Sequence, residues 1–435
     1  MDLEFTPEFN EGLRILTETK SPLFLTGKAG TGKSTLLHYA KTHSTKNIIV
    51  LAPTGVAALN VQGQTIHSFF NFGINITYEK VRAHSKVDLF NRIDTIVIDE
   101  ISMVRSDLLD CIDACLRMTR GIHTPFGGVQ MVFIGDLYQL PPVVRKNEEQ
   151  IFKILYHSQY FFSARSFKKL SLEFVELKKI YRQKEDMEFI DLLNDVRMNT
   201  LTPRALARLN SKVNAKYQAS SEDAYIYLTT TNDRAGEVNT AYLASIDAPP
   251  VLSVADVIGE VPKDYYATDV KLELKAGAQV MMLNNDIQGR WVNGSVGRII
   301  DFLRLSSGEK NPIVEIDGSR YCIEKYDWKI IEFTLNEKEN RIESEEIGIF
   351  RQYPLSICKA ITIHKSQGKT FEKVFLDLHW GAFSHGQLYV ALSRCTTLEG
   401  LMLKKPIRQA DILVDDAVEI FMTLLREYIL SLIHI

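Results

Sequence analysis

Eight residues, Gly27-Lys28-Ala29-Gly30-Thr31-Gly32-Lys33-Ser34, constrain this chain more than any other stretch. They match the phosphate-binding loop at every fixed position: Gly27, Gly32, Lys33 and Ser34. Glycines 27, 30 and 32 let the backbone turn tightly and point several N–H groups inward. The helix that follows adds its positive end, so the β- and γ-phosphates of a nucleotide would sit among donors. Lys33 adds a full charge, the Ser34 hydroxyl suits Mg²⁺, and Thr31 and Thr35 complete the expected nucleotide contacts. Leu23-Phe24-Leu25 reads as a buried strand before the loop, with Pro22 where a missing N–H costs little. Leu36, Leu37 and Tyr39-Ala40 begin a helix after it. Strand, glycine loop and helix is the order that phosphate chemistry requires.

The first half repeats this pattern of apolar runs ending in polar tips. Ile48 to Leu51 is a second buried strand, followed by Ala52 to Asn60, where Thr54 and Gly55 offer a hydroxyl and free N–H groups to an anion. His67, Phe69, Phe70 and Phe72 cluster within a small excursion at about 66–90. They form either a satellite hydrophobic cluster under a loop or a stacking surface for bases. The strand in Ile93–Ile101 ends in Asp99-Glu100. After a phosphate loop, such a tip brings Asp99 to Mg²⁺ and Glu100 to the attacking water; an isolated pair would read as a helix cap. Asp107–Arg120 has helical spacing, Pro125–Gly128 makes a turn, and Val129–Ile134 is a fourth strand that leads into Gly135–Val143. That string reads either as a Pro-rich strand exit, which accounts for Pro141-Pro142 alone, or as a tip whose Gln139 could sense the γ-phosphate. Residues 165–184 carry seven basic and two acidic residues, with Arg182 near their end.

In the second half, Tyr225–Leu228 is a strand that leads through Thr229 and Asn232 into a helix. From Gly277 to about Gly348, short apolar runs recur between turn signals such as Asn293-Gly294 and Asp317-Gly318, the texture of a small antiparallel barrel. Asn336–Glu346 reads as an acidic exposed loop. Ala360–Ile363 is a strand entering His364-Lys365-Ser366-Gln367-Gly368-Lys369-Thr370-Phe371. Its Gly-Lys-Thr is no second phosphate loop, because Ile363 stands where a glycine is needed. Val374–Leu378 is a further strand, and Gly386–Cys395 a helix ending in Arg394. With 51 basic against 54 acidic residues, net −3, any nucleic-acid surface must be local. Five cysteines without metal-ligand spacing suggest reduced thiols and a cytoplasmic setting. Charges interrupt the C-terminal helix, Asp411 to about Leu430, so no membrane partner is expected.

Seven strings stand in one order: GKAGTGKS, APTGVAALNVQGQTIHSFF, IDEISMV, GDLYQLPPV, LKKIYRQ, AITIHKSQGKTF and GQLYVALSRC. Together they resemble the superfamily-one helicases of the B branch, and within it the petite integration frequency (PIF) type, related to RecD. Asp110, Arg117, Arg120 and the PFGG turn resemble the PIF signature. The resemblance implies an α/β protein with two RecA-like parallel-sheet motor domains and an inserted small β-barrel of src-homology-three type. The expected boundaries are 1–185, then 186–275 with 349–435, with the barrel at 276–348. It implies ATP and Mg²⁺ as cofactors. Lys33, Glu100 and Gln139 act on the phosphates, Ser34 and Asp99 hold the metal, and Arg182 and Arg394 serve as arginine fingers from either side of the cleft between domains. Thr54, Gly55, His67, Phe69, Thr229, Asn232, His364, Lys365 and Gln367 would contact single-stranded DNA, and Gly368 the nucleotide. The family moves 5′ to 3′ on single-stranded DNA, and its members are linked to G-quadruplex unwinding. Fork or G-quadruplex DNA is therefore expected as partner, and a monomer as the working form. No residue reads a 2′-OH, so only the resemblance separates DNA from RNA. Three departures stand out. Asn10 replaces the glutamine that reads adenine, and Leu137 and Lys369 replace the usual Phe and Met.

Overall fold

The computed structural model describes residues 5–73, 75–144, 148–181, 186–217, 225–306, 308–336, 338–339 and 341–433, the side chains of residues 151 and 428–433 excepted. The chain forms two units. The first comprises Met1–Arg182, Lys329–Ile347 and Asp415–Ile435, and the second Gln183–Trp328 and Gly348–Val414.

The first unit is built on six parallel strands: β1 (Leu23–Gly27), β2 (Ile48–Ala52), β3 (Gln64–Thr65), β4 (Thr95–Ile98), β5 (Gln130–Gly135) and β6 (Glu173–Leu177). Their order is β3-β2-β4-β5-β1-β6. Strand side chains alternate between faces, and β1 divides its residues accordingly. Leu23 and Leu25 pack with Ile15 and Leu16 of α1 (Pro7–Glu18) and Leu36, Leu37 and Ala40 of α2 (Lys33–His43). Phe24 faces the other way, 5.6 Å from Phe161 and 6.1 Å from Phe421, ring centre to ring centre. Both faces of β1 are covered, so all five of its residues are buried.

Phe421 lies on the helix Asp416–Ile433, which was expected with the second motor domain and instead belongs to the first unit. Its ring stacks on Phe162 at 4.2 Å, and Arg426 grips Glu176 of β6 through two bonds of 2.8 and 3.0 Å. The hairpin of strands Tyr326–Asn336 and Arg341–Gln352 also differs from expectation. Residues read as an exposed acidic loop extend these strands, and the distal part, Lys329–Ile347, belongs to the first unit rather than to the barrel. There Phe333 donates its N–H to Gln64 at 3.1 Å, Glu332 meets Lys86 at 2.6 Å, and Ile342 donates to Asn47 at 3.1 Å. Strands with polar side chains on both faces carry no hydropathy signal.

The signature residues hold this unit together. Asp110 accepts from the backbone of Arg165 and Ser166 and from the Ser166 hydroxyl. Arg120 donates to the carbonyls of Phe90 and Ile93. Asp113, 4% exposed, accepts from the Phe126 N–H at 2.6 Å and pairs with Arg117 at 2.8 Å. Phe126 has φ 53° and ψ 26°, a left-handed conformation that costs an L-residue about 1–2 kcal/mol. Asp113 therefore stabilises a turn that resists forming. Asp113→Ala should destabilise the protein by about 2–3 kcal/mol, because a buried N–H and a guanidinium lose their acceptor. Chemical denaturation checks this, and an unchanged midpoint would remove Asp113 from the account of the turn.

The second unit contains a four-stranded parallel sheet of Ala360–Thr362, Ile226–Thr229, Val374–Asp377 and Leu401–Leu403, in that order. A five-stranded antiparallel sheet lies in the same unit, formed by Ser319–Cys322, Lys310–Ile316, Val296–Arg304, Gln279–Met282 and Leu355–Ile357. Its core includes Val280, Met282, Ile299, Val314 and Leu355 with Leu272 and Leu274 of a neighbouring strand pair. The antiparallel texture read from residues 277 onward is thus realised, with Leu355–Ile357 closing one edge.

Candidate functional site

Parallel strands deliver their carboxyl ends to one edge, and in the first unit that edge carries the chemistry. β1 lies beside β5, and β5 beside β4. Thr26 at the end of β1 donates its hydroxyl to the Gly135 carbonyl at the end of β5, 2.7 Å away. A Cβ on Gly135 would meet Ile101 at 3.0 Å, so this glycine lets the tip of β5 approach the segment after Glu100.

The phosphate loop is folded on itself. Gly30 and Gly32 take φ of 79° and 89°, and Gly32 caps α2. A Cβ at Gly27 would stand 2.6 Å from the Thr31 hydroxyl and 2.7 Å from the Leu177 carbonyl, so only glycine fits. Thr31 is buried and donates to the Lys28 carbonyl at 2.9 Å, while Ser34 and Thr35 are exposed at the start of α2. The Lys33 ammonium donates to the carbonyls of Gly27 (2.7 Å) and Lys28 (3.1 Å). Asp99, 9% exposed, directly follows β4. Burial pushes its carboxyl above the ordinary range, against the Glu100 N–H and the Lys33 charge, which both pull it down. Glu100 is half-buried and left-handed, φ 50° and ψ 43°. Gln139 is buried, its side-chain amide 3.4 Å from the Asp136 carboxylate.

Two residues near this edge were not singled out from sequence. Asp136, 1% exposed, also accepts from the Tyr138 N–H and so shapes the tip that bears Gln139. Tyr181 donates its N–H to the Gly30 carbonyl at 2.8 Å, which ties the segment just before Arg182 to the phosphate loop. Arg182 itself lies outside the described residues. Asn10 is exposed on the first turn of α1.

In the second unit Arg394 is 1% exposed. Its guanidinium donates to the carbonyls of Val390 (2.9 Å), Ser366 (3.3 Å) and Lys369 (3.1 Å) and to the Ser393 hydroxyl (2.9 Å). Lys369, the departure from methionine, donates to the Asn293 side chain at 2.9 Å, and burial pulls its ammonium below the usual lysine range. Gly368 is exposed with φ 78°.

The expected DNA contacts separate into two groups. Asn232 and Lys365 are exposed at strand tips of the second unit, and His364 and Gln367 are half-buried there. Burial holds His364 below the ordinary histidine value. In the first unit Thr54 is exposed and caps α3 (Gly55–Asn60), His67 is half-buried, and Gly55 is buried. Two expected contacts need correction. Phe69 is 5% exposed, stacked on Phe90 at 5.2 Å and edge-on to Phe333, so no ring face is open to a base. Thr229 is fully buried, its strand paired on both sides with Thr362 and Asp377, and its hydroxyl has no hydrogen-bond partner. Thr231 and Asn232 are the exposed part of that tip.

A glycine loop with its lysine, an Asp-Glu pair and a glutamine, all at the carboxyl edge of one parallel sheet, define a phosphate-loop nucleoside triphosphatase of RecA-like build. Comparison with known proteins narrows the class. The family model for PIF1-like helicases matches residues 12–204. The ATP-dependent DNA helicase Pif1 of Bdellovibrio bacteriovorus is 31% identical over 414 residues, which covers 92% of this chain and 88% of the relative. The crystal structure of Bacteroides Pif1 in complex with ADP-AlF4 superposes with a TM-score of 0.90 at 36% identity, covering 98% of each chain. Bacteroides Pif1 bound to single-stranded DNA gives 0.69 at 38% identity, covering 97% of each. The chain belongs to the PIF1-like helicase family and is an ATP-dependent DNA helicase. Among the described residues no helix is long and apolar enough to cross a membrane.

Proposed function

We propose that the protein is a monomeric motor that translocates 5′ to 3′ on single-stranded DNA and opens duplexes, forks and G-quadruplexes in replication, repair or recombination in the cytoplasm. One observation carries the reading: the tips of β1, β4 and β5 gather at one sheet edge the groups that ATP hydrolysis needs. The N–H groups of Gly27, Gly30, Thr31 and Gly32 and the Lys33 ammonium hold the phosphates, with Ser34 and Thr35 at the helix start. Lys33 exchanges its two carbonyl acceptors for phosphate oxygens when ATP enters.

The hydroxyl of Ser34 and the carboxylate of Asp99 fit a hard divalent cation, and a buried carboxylate such as Asp99 gains most from one. Mg²⁺ bound there would screen the charge on the β- and γ-phosphates. Glu100 takes a proton from the attacking water, and Gln139 reads the γ-phosphate. Arg182 and Arg394 supply positive charge to the transition state. Asn10 and Gly368 complete the nucleotide contacts. Thr54, Gly55, His67, Asn232, His364, Lys365 and Gln367 hold the strand, and ATP binding and hydrolysis change the grip.

Duplexes with a 5′ or a 3′ single-stranded tail test the polarity. Unwinding of the 5′-tailed duplex only is expected, and preference for the 3′ tail would reverse the assigned direction. An RNA tail of equal length compares the two nucleic acids in the same assay.

A further inference from the structure

The loop that follows strand Val374–Asp377 has no part in the function described so far, yet it is built with care. Trp380 is 85% exposed and Phe383 63% exposed. Such exposure is expensive, since each aromatic ring leaves a large apolar area in water. The loop is also tied down along its length. The His379 N–H donates to Asp377, itself bonded to Lys404 at 2.6 Å and to the Tyr227 hydroxyl. Arg408 donates to the Trp380 carbonyl at 3.2 Å while paired with the buried Asp411, which also accepts from the Ala382 N–H. Gly381, at φ 121°, takes a backbone conformation that other residues rarely adopt, and a Cβ there would press on the Arg408 and Asp411 side chains. The Phe383 N–H donates to Gln387, and the Gly386 N–H to the Leu413 carbonyl. The two rings are thus held out rather than left loose.

Two further observations say what they face. Strand Val374–Asp377 runs parallel to Ile226–Thr229, Asp377 opposite Thr229, and Ala360–Thr362 flanks the other side. The loop therefore leaves the same carboxyl edge as Thr231-Asn232 and His364-Lys365. The Lys405 ammonium sits 5.9 Å from the centre of the Trp380 ring and donates to the His379 carbonyl. An 85% exposed ring with a cation over one face leaves its other face for a flat base and supplies a charge for the joined phosphate, one repeating unit of single-stranded nucleic acid.

We propose that Trp380 is a stacking platform for an unpaired base of single-stranded DNA, with Lys405 on the adjoining phosphate. This rests on the reading that the sheet edge bearing Asn232, His364 and Lys365 faces DNA. Trp291 and Trp328, the other tryptophans, are 7% and 6% exposed, so direct quenching by a stacked base falls on Trp380.

The test is titration of the full chain with fluorescently labelled oligo(dT), by anisotropy and by intrinsic tryptophan emission. Trp380→Ala should weaken binding by about five- to 150-fold, the range of one lost base stack. Trp380→Phe should retain most of the affinity but lose the quenching that the wild type shows on binding. Lys405→Ala should reduce the salt dependence of binding by about one counterion. His364→Ala with Lys365→Ala serves as the control for the edge itself. If that pair weakens binding and Trp380→Ala does not, the platform is overturned and the edge stands. If neither change weakens binding, both readings fall. A Trp380→Ala protein that binds DNA normally but loses self-association in sedimentation would overturn the proposal in favour of a second copy of the chain.

Discussion

Glu100→Gln is expected to lower DNA-stimulated ATP turnover by about 10²–10⁴-fold, the usual loss when a positioned general base is removed. ATP affinity should hardly change. Glutamine keeps the shape of glutamate and the same backbone demand, which matters here because Glu100 is held left-handed at φ 50°. That conformation costs about 1–2 kcal/mol in any L-residue, so both variants carry it equally and stability should not separate them. What glutamine lacks is a carboxylate to accept the proton of the attacking water. Single-turnover hydrolysis with saturating DNA isolates the chemical step, and nucleotide titration gives the affinity. Turnover within twofold of wild type would take the base role from Glu100. Asp99, one residue earlier and nearly fully buried, would be the remaining carboxylate at that tip.

Arg394→Ala should cost still more, about 10³–10⁵-fold in turnover, the range for an arginine finger. The structure also gives this residue a second job. Its guanidinium satisfies the carbonyls of Ser366 and Lys369 and so braces the segment from His364 to Thr370. Removing it leaves buried carbonyls without a donor, at about 1–3 kcal/mol each, so some loss of stability is expected as well. The two jobs separate experimentally. A brace predicts that activity falls only as the folded fraction falls. A finger predicts lost turnover in protein that is fully folded and still binds ATP and DNA. Arg394→Lys sharpens the contrast, because lysine restores the charge but not the planar fork. Restoration of turnover by lysine would mean that charge alone suffices. Turnover that merely follows the unfolding curve would reduce Arg394 to a brace.

The parts legible in the sequence were those whose cause is local. A glycine loop declares itself because only glycine tolerates its backbone, and Gly27 bears this out with neighbours where a Cβ would stand. The buried strands were legible because both their faces are apolar. What escaped depends on partners far along the chain. Phe69 offered itself equally as core or as stacking surface, and Phe90 and Phe333 settle the matter by covering it. Thr229 read as a polar tip, but the strands on either side enclose it. The helix Asp416–Ile433 was expected with the second motor domain, which precedes it in the chain, and instead belongs to the first unit. Its attachment turns on Glu176 and on the aromatic rings around Phe24, and no window of sequence joins these to Phe421 or Arg426.

That last attachment bears on how the protein is made. All six strands of the first sheet have been synthesised by Leu177, yet the ring that closes over Phe24, Phe161 and Phe162 arrives only with Phe421. At ordinary rates of translation the interval is roughly ten to fifty seconds, during which a greasy, half-finished surface waits for its cover. The nascent chain is then most exposed to aggregation and most in need of a chaperone, and a premature stop before the final helix would leave it so for good.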